Sequence, residues 1–372
     1  MTDSYRFGIE EEFFLVDAAT GALATKRPPE FLAAVREALG AQVSTEMLQA
    51  QIEVMTQPHD DAAGAAAELK SLRRTLSQIA GRHGLGIIAA GTHPTGDYLT
   101  AEPSTGERYN AIMEDLQIIG LRDLLCGLHV HVEPPEGTDR IDIMYRMLPY
   151  LPLLVALSTS SPFWRSQATG LRGYRLAAYD ELPRTGVPEL FRNSAEFDAY
   201  VAALQRAGVI ADASYVWWAI RPSLKHPTLE LRAPDSCTFV EDSIAIASLY
   251  RALVRLLVHE PTKNGGTGVV ERALIVENKW RAQRYGVAGT FVAEYGGGAV
   301  SVADRLEAVL TDVLLHAEAL GCAAQVRHCR AIVGGGTSAD AQLAVYAQHE
   351  GRVGNQRALS AVTDWLATAT LQ

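Results

Sequence analysis

Phe7-Gly8-Ile9-Glu10-Glu11-Glu12-Phe13-Phe14-Leu15-Val16 is the stretch from which the chain is best read. It is apolar at both ends, rich in strand-favouring residues and interrupted by three carboxylates. In a strand, alternate side chains share a face. Glu10 and Glu12 therefore point the same way, with Cβ atoms roughly 7 Å apart. Two carboxylates so placed repel each other unless a cation lies between them or water screens them. The stretch is either a solvated edge face or half of a divalent metal site built from hard oxygen ligands.

Three further strands repeat the theme. Glu46 to Thr56 alternates in its later half, with Gln51, Glu53 and Met55 on one face and Ile52 and Val54 on the other. Gly127 to Glu133 places His129, His131 and Glu133 opposite Leu128, Val130 and Val132. Thr228 to Asp235 places Glu230 and Arg232 opposite Leu229 and Leu231. If these strands adjoin in one antiparallel sheet, Glu10, Glu12, Glu53, His129 and Glu230 converge. Such a face is not dry core, because unpaired buried charge costs several kcal/mol. It needs cations or water. Several carboxylates with one imidazole suit Mg²⁺ or Mn²⁺ better than zinc, which prefers fewer ligands with more nitrogen or sulfur.

The remaining chain supplies scaffold. Helices are expected from Pro28-Pro29 to Leu39, from a cap at Asp60 or Asp61 to His83-Gly84, and from about Arg108. A buried strand is expected over Leu85 to Ala90 and a loop over Gly91 to Gly106. Ile141 to Ser160 reads as a buried apolar helix bent at Pro149 and Pro152. Ser161 to Asn193 reads as a long Arg-, Gly- and Pro-rich loop, a helix over Ala195 to Arg206 follows, and Tyr215 to Arg221 reads as a strand. From Phe239 the pattern is helical: Val240 to His259, Val269 to Tyr285, Ser301 to Leu320 with Ser301 as its cap, Ala323 to Ile332, and Asn355 to Ala369. Gly296-Gly297-Gly298 and Gly334-Gly335-Gly336 are expected connectors. No domain boundary is evident, so residues 1–372 are read as one catalytic domain.

Composition narrows the function. The net charge of −10 argues against a nucleic-acid partner. No apolar run reaches a membrane span, and the start lacks a signal-peptide core. Cys126, Cys237, Cys322 and Cys329 show no CxxC spacing, the pattern of buried reduced thiols in a cytoplasmic protein. No P-loop, GxGxxG or GxSxG motif is present, so any bound phosphate is held by metals and arginines. Arg232 beside Glu230 is either a plain ion pair or a phosphate clamp. Asn278, Arg281 and Tyr285 share a helix face that either meets phosphates or is solvated. Two rivals to phosphate chemistry remain. One is a metal hydrolase using His129-Val130-His131, and the other a catalytically silent nucleotide-binding protein.

The ordered set Phe7 to Glu12, Gln51-Ile52-Glu53, Cys126 to Val132, Thr228 to Asp235 and Glu277 to Ala282 resembles the bacterial carboxylate–amine ligases known as type 2 glutamate–cysteine ligases, in the glutamine synthetase-like superfamily. The resemblance runs from Phe7 to about Tyr285 and more loosely to the end. It implies an α+β fold: a curved, mainly antiparallel sheet forming a funnel, with helices packed outside. ATP would enter one end, and a carboxylate and an amine the other. Glu10, Glu12, Glu53, His129 and Glu230 would ligate Mg²⁺, and Arg232 would touch the transferred phosphate. Asn278 and Arg281 would lie nearer the nucleotide, and Arg172 and Arg175 would hold the substrate carboxylate. His131 and Glu133 would support the ligands. The implied product is an amide of γ-glutamyl type, made through an acyl phosphate by a homodimer.

Overall fold

A computed structural model describes residues 5–293 and 297–372. Met1–Ser4 and Gly296, the first residue of one expected glycine connector, lie outside the described residues.

The strands are β1 (Phe7–Asp17), β2 (Val43–Thr45), β3 (Gln51–Met55), β4 (Leu85–Ile88), β5 (Leu128–Val132), β6 (Phe163–Trp164), β7 (Gln167–Ala168), β8 (Ile220–Pro222), β9 (Leu229–Leu231), β10 (Thr290–Val292) and β11 (Ala299–Ser301). Among the described residues, seven of them form one sheet in the order β2-β3-β1-β5-β9-β8, with β4 pairing the end of β1. Every pairing in it is antiparallel. The helices are α1 (Pro29–Leu39), α2 (Ala62–Arg82), α3 (Glu107–Leu116), α4 (Ile118–Leu121), α5 (Arg140–Met147), α6 (Leu151–Ser158), α7 (Tyr174–Tyr179), α8 (Ser194–Arg206), α9 (Val240–His259), α10 (Val269–Tyr285), α11 (Val302–Ala319), α12 (Ala323–Gly335), α13 (Ser338–Val353) and α14 (Asn355–Ala369).

The sheet sits where it does because its strands have unlike faces. On β1, Ile9, Phe13 and Leu15 are fully buried. Phe13 and Leu15 pack with Ile52 and Val54 of β3 against Phe31 and Val35 of α1 and Leu72, Leu76 and Ile79 of α2. The α2 positions recur at helical spacing, and Asp61 caps the helix by accepting a hydrogen bond from Gly64 N at 2.7 Å. Helix α9 is apolar almost all round and buried along most of its length, as such a helix must be. Each fully buried Leu or Phe here contributes about 1.5–3 kcal/mol. The segment Arg140–Ser158 is long and apolar enough to cross a membrane by length and composition, but 89% of it is buried inside the fold. All four cysteines are buried and free.

The structure corrects several expected elements. The expected strand over Glu46 to Thr56 is shorter, Gln51–Met55, and a turn places Glu46 ahead of it. Only Ile220 and Arg221 of the expected Tyr215 to Arg221 strand pair, in a strand that runs on to Pro222, because Ala213–Tyr215 forms a 3₁₀ turn. The supposed loop over 161–193 contains the β6–β7 hairpin and α7. Gly334 and Gly335 continue α12 instead of ending it, and Gly336, at φ 84°, makes the turn. Helix α13 and the β10–β11 hairpin were not expected. Helix α13 is weakly amphipathic, and its start is fixed by a local exchange in which Thr337 N donates to Asp340 Oδ2 at 3.0 Å.

Candidate active site

The sheet register brings the acidic residues onto one face in three neighbouring cross-strand rows. Glu12 of β1 stands opposite Glu53 of β3, and Glu10 opposite His129 of β5. His131 stands opposite Glu230 of β9, which also faces Arg221 of β8. Neighbouring strands lie about 4.8 Å apart, so side chains in such a row touch. Like charges directly opposite are destabilising, which makes the Glu12–Glu53 pair unexplained by folding alone.

His129, 2% exposed, is the hub. Its Nδ1 lies 3.4 Å from Glu10 Oε2 and 3.8 Å from Glu53 Oε1, and its Nε2 lies 3.7 Å from Glu12 Oε1. Two overlapping triads result, Glu10–His129–Glu230 and Glu12–Glu53–His129, each with ligand atoms within 4.8 Å of one another. His129 Nε2 makes no hydrogen bond among the described residues. Burial, helped by the charge of Arg232, lowers the pKa of His129 and keeps the imidazole neutral, the form that ligates a metal. Carboxylate oxygens around one neutral imidazole fit a hard divalent cation.

The charges around the hub are unevenly matched. Burial disfavours ionised Glu10, but hydrogen bonds from His129 and His131 outweigh it and hold the carboxyl well below the usual range. Burial likewise opposes ionised Glu230, yet Arg232 and Arg221 hold it far down. Arg221 donates to it at 2.8 Å, and Arg232 pairs with it closely. Glu53 has no such partner: burial and the charges of Glu10, Glu46 and Glu12 push its pKa well up. Glu12 accepts a short hydrogen bond from Gly127 N. His131 donates to or accepts from Thr228 Oγ1 at 2.8 Å, and its Nε2 lies 3.3 Å from Glu10.

These residues form the floor of a cavity of about 510 Å³. Its walls add Glu46, Asp123, Tyr109, Tyr179 and Arg221, which sequence reasoning did not single out as site residues. Glu46 and Asp123 sit in irregular segments just ahead of β3 and β5, where no periodic pattern marks them. Arg175 lines the cavity although it is only 2% exposed. Its NH1 donates to the carbonyls of Arg232, Ala233 and Pro234 at 3.1–3.4 Å. Gly127 makes room for it, since a Cβ there would lie 2.2 Å from Arg175 NH2.

Other expected site residues are elsewhere. Arg172 pairs with Asp340 at 2.8 Å and does not line the cavity. Asn278 exchanges hydrogen bonds with the backbone of Val292, and Arg281 donates to Thr290, so both brace β10 instead of facing the cavity. Glu133 pairs with Arg6.

The antiparallel sheet with its outer helices has counterparts among solved structures. The fold is similar to that of glutamate–cysteine ligase from Francisella tularensis in complex with AMP, with a TM-score of 0.72 at 13% identity over 100% of this chain and 90% of that one. It is also similar to a bifunctional glutathione synthetase from Pasteurella multocida, with a TM-score of 0.70 at 16% identity over 98% of this chain and 52% of that one. The model of glutamate–cysteine ligase family 2 matches residues 6–360. Relatives with the provisional name glutamate–cysteine ligase 2 are 53% identical in Bradyrhizobium sp. strain ORS 278, over 99% of this chain and 88% of that protein, and 42% identical in Rhodospirillum rubrum, over 99% and 96%. The chain belongs to glutamate–cysteine ligase family 2 and is a carboxylate–amine ligase of that kind.

Proposed function

We propose that the protein joins a carboxylate to an amine at the expense of ATP, through an acyl phosphate, with glutamate and cysteine as the first pair to test. The carrying observation is the cluster of Glu10, Glu12, Glu53 and Glu230 around His129 on one sheet face, where His129 Nε2 has no hydrogen-bond partner among the described residues. The names of the relatives supply the substrates, and the AMP complex of the Francisella protein supports an adenine nucleotide.

Glu10, Glu12, Glu53, His129 and Glu230 would hold Mg²⁺ or Mn²⁺, which when bound offsets the charge of a triphosphate and of a phosphoryl group in transfer. The substrate carboxylate oxygen attacks the γ-phosphorus and ADP leaves. The amine then attacks the acyl carbon, loses a proton, and phosphate leaves. Arg232 lies beside the cluster, its Nε without a hydrogen bond among the described residues, placed to stabilise charge on the phosphoryl oxygens. Tyr179, within 3.5 Å of Arg232 NH2, helps fix that guanidinium. The recessed floor shields the acyl phosphate from water.

The test is phosphate release with ATP and Mg²⁺ across a matrix of amino acids and amines, with product masses measured. Glu53→Gln and Glu230→Gln are expected to abolish Mg²⁺-dependent ADP release. Wild-type turnover in both variants overturns the reading. Zinc-dependent hydrolysis without ATP would instead support a hydrolase built on His129 and His131.

A further inference from the structure

The cavity has a roof as well as a floor. Helix α3 supplies Arg108, Tyr109 and Ile112 to its lining, and the turn ahead of β8 supplies Ala213 and Ser214. Consecutive residues in the first turn of α3 reach two different partners. Tyr109 donates a short hydrogen bond to the Thr45 carbonyl and lies 3.3 Å from the Thr45 hydroxyl. Arg108 donates to Ser214 Oγ at 3.1 Å, and its guanidinium lies 4.8 Å from the centre of the Tyr215 ring. Thr45 ends β2 and Ser214 precedes β8, the two strands at opposite ends of the sheet order. One helical turn therefore ties the two edges of the sheet together across the cavity.

The clasp holds only one end of the helix, and its contacts exchange readily with water. Of the ten residues of α3, only Ile112 and Leu116 are buried. The C-terminal end is pinned: Met113 and Leu116 close on Gly120 so tightly that a Cβ there would lie 2.8 Å from the Met113 sulfur. Gln117, which follows the helix, is held at φ 51°, where a side chain is strained. The N-terminal end starts at Gly106, at φ 149°, without a side-chain cap. A helix packed at one end and clasped at the other pivots about the packed end. The opposite half of the clasp is fixed. Arg221 donates to the carbonyls of Ser214 and Val216 at 3.0 and 2.9 Å and to Glu230 at 2.8 Å. The turn that receives Arg108 is thus anchored on the carboxylate cluster, and α3 is the half that opens.

We propose that α3 is a lid, closed by Arg108 and Tyr109, that keeps water from the acyl phosphate until the amine attacks. This rests on the ligase reading for its purpose, but the opening itself can be measured without turnover. With the lid open, water takes the place of the amine. Its oxygen attacks the acyl carbon, a proton is lost and phosphate leaves, which returns the acid and consumes ATP without forming an amide.

The test uses Arg108→Ala, Tyr215→Leu, whose ring lies outside the cavity lining, and the double variant, with circular dichroism to check their fold. One measurement is phosphate released per amide formed, with ATP, Mg²⁺, L-glutamate and L-cysteine. The other is hydrogen exchange of the amides of residues 108–117 without ligands. Wild type should release about one phosphate per amide, and each single variant about threefold or more. Those amides should exchange about fivefold or more faster in each single variant. The double variant should match the singles, since both changes open one contact. Unchanged exchange in both singles overturns the lid, as do additive effects, or faster exchange with a ratio that stays near one. Absence of ADP release by wild type, here and across the wider matrix, sinks the ligase reading. Faster exchange in the variants would then leave the lid standing, and unchanged exchange would remove both.

Discussion

Glu11 and its neighbours Glu10 and Glu12 are adjacent residues of one type on one strand, and the fold treats them oppositely. Glu11 faces the helices and is fully buried, and everything it needs is there. Arg73 of α2 meets it bidentately at 2.7 and 2.8 Å, and Ser243 of α9 donates at 2.6 Å. Arg73 in turn donates to the carbonyls of Thr238, Cys237 and Thr370. Glu10 and Glu12 face the cavity, where the opposing residues are Glu53 and His129. The lesson is that a satisfied buried carboxylate belongs to the scaffold, whereas an unsatisfied group of carboxylates marks a place for something the chain does not contain.

Substitutions should separate the two faces cleanly. The largest loss of stability is expected from Glu11→Gln, which leaves Arg73 buried beside a neutral partner and should cost ~3–5 kcal/mol. A lower urea midpoint checks this, and an unchanged midpoint would mean that the ion pair is dispensable. Glu53→Gln should do the reverse. Turnover should fall by about 100-fold or more, with stability unchanged or raised, because one of several repelling charges is gone.

The same contrast predicts that cations stabilise through the cavity face alone. Mg²⁺ at about 100 times its dissociation constant should add about 2.7 kcal/mol to wild type and to conservative surface variants. It should add little to Glu53→Gln, as thermal unfolding with and without EDTA would show. The last prediction concerns pH. Asp123 keeps its proton to about pH 8 when folded but loses it near 3.8 when unfolded. An acid raised by folding stabilises the protein below its unfolded pKa, and that contribution is lost as pH rises towards the folded value. In EDTA, Asp123→Asn should therefore match wild type near pH 4 and become the more stable of the two by pH 8. Parallel curves for the two proteins would contradict the burial of that charge.

The two arginines of the cavity extend the comparison. Arg232 could be read from the sequence, because it follows Glu230 at strand spacing and the pair forms as expected. Arg175 is recognisable only as one arginine of a loop rich in them. Its partner Arg172 looks equivalent in sequence, yet turns to Asp340. What separates them is the open space beside Gly127, where a Cβ would lie 2.2 Å from an Arg175 guanidinium nitrogen. No local pattern encodes such a space.

Alternation along β1, β3, β5 and β9 determined by itself that Glu10 and Glu12 share a face and that Glu53, His129 and Glu230 each stand opposite the apolar residues of their own strand, since period two is a local property of extended backbone. Amphipathic spacing likewise determined most of the helices, though not α13, whose faces differ little. Tertiary structure alone decided the strand order and register that gather five separate residues into one cluster. It also decided that Glu11 is neutralised, that Asn278 and Arg281 brace a hairpin, and that Glu46 and Asp123 reach the cavity from irregular segments. The physical reason is that burial and charge pairing depend on neighbours distant in the chain, and periodicity carries no information about them.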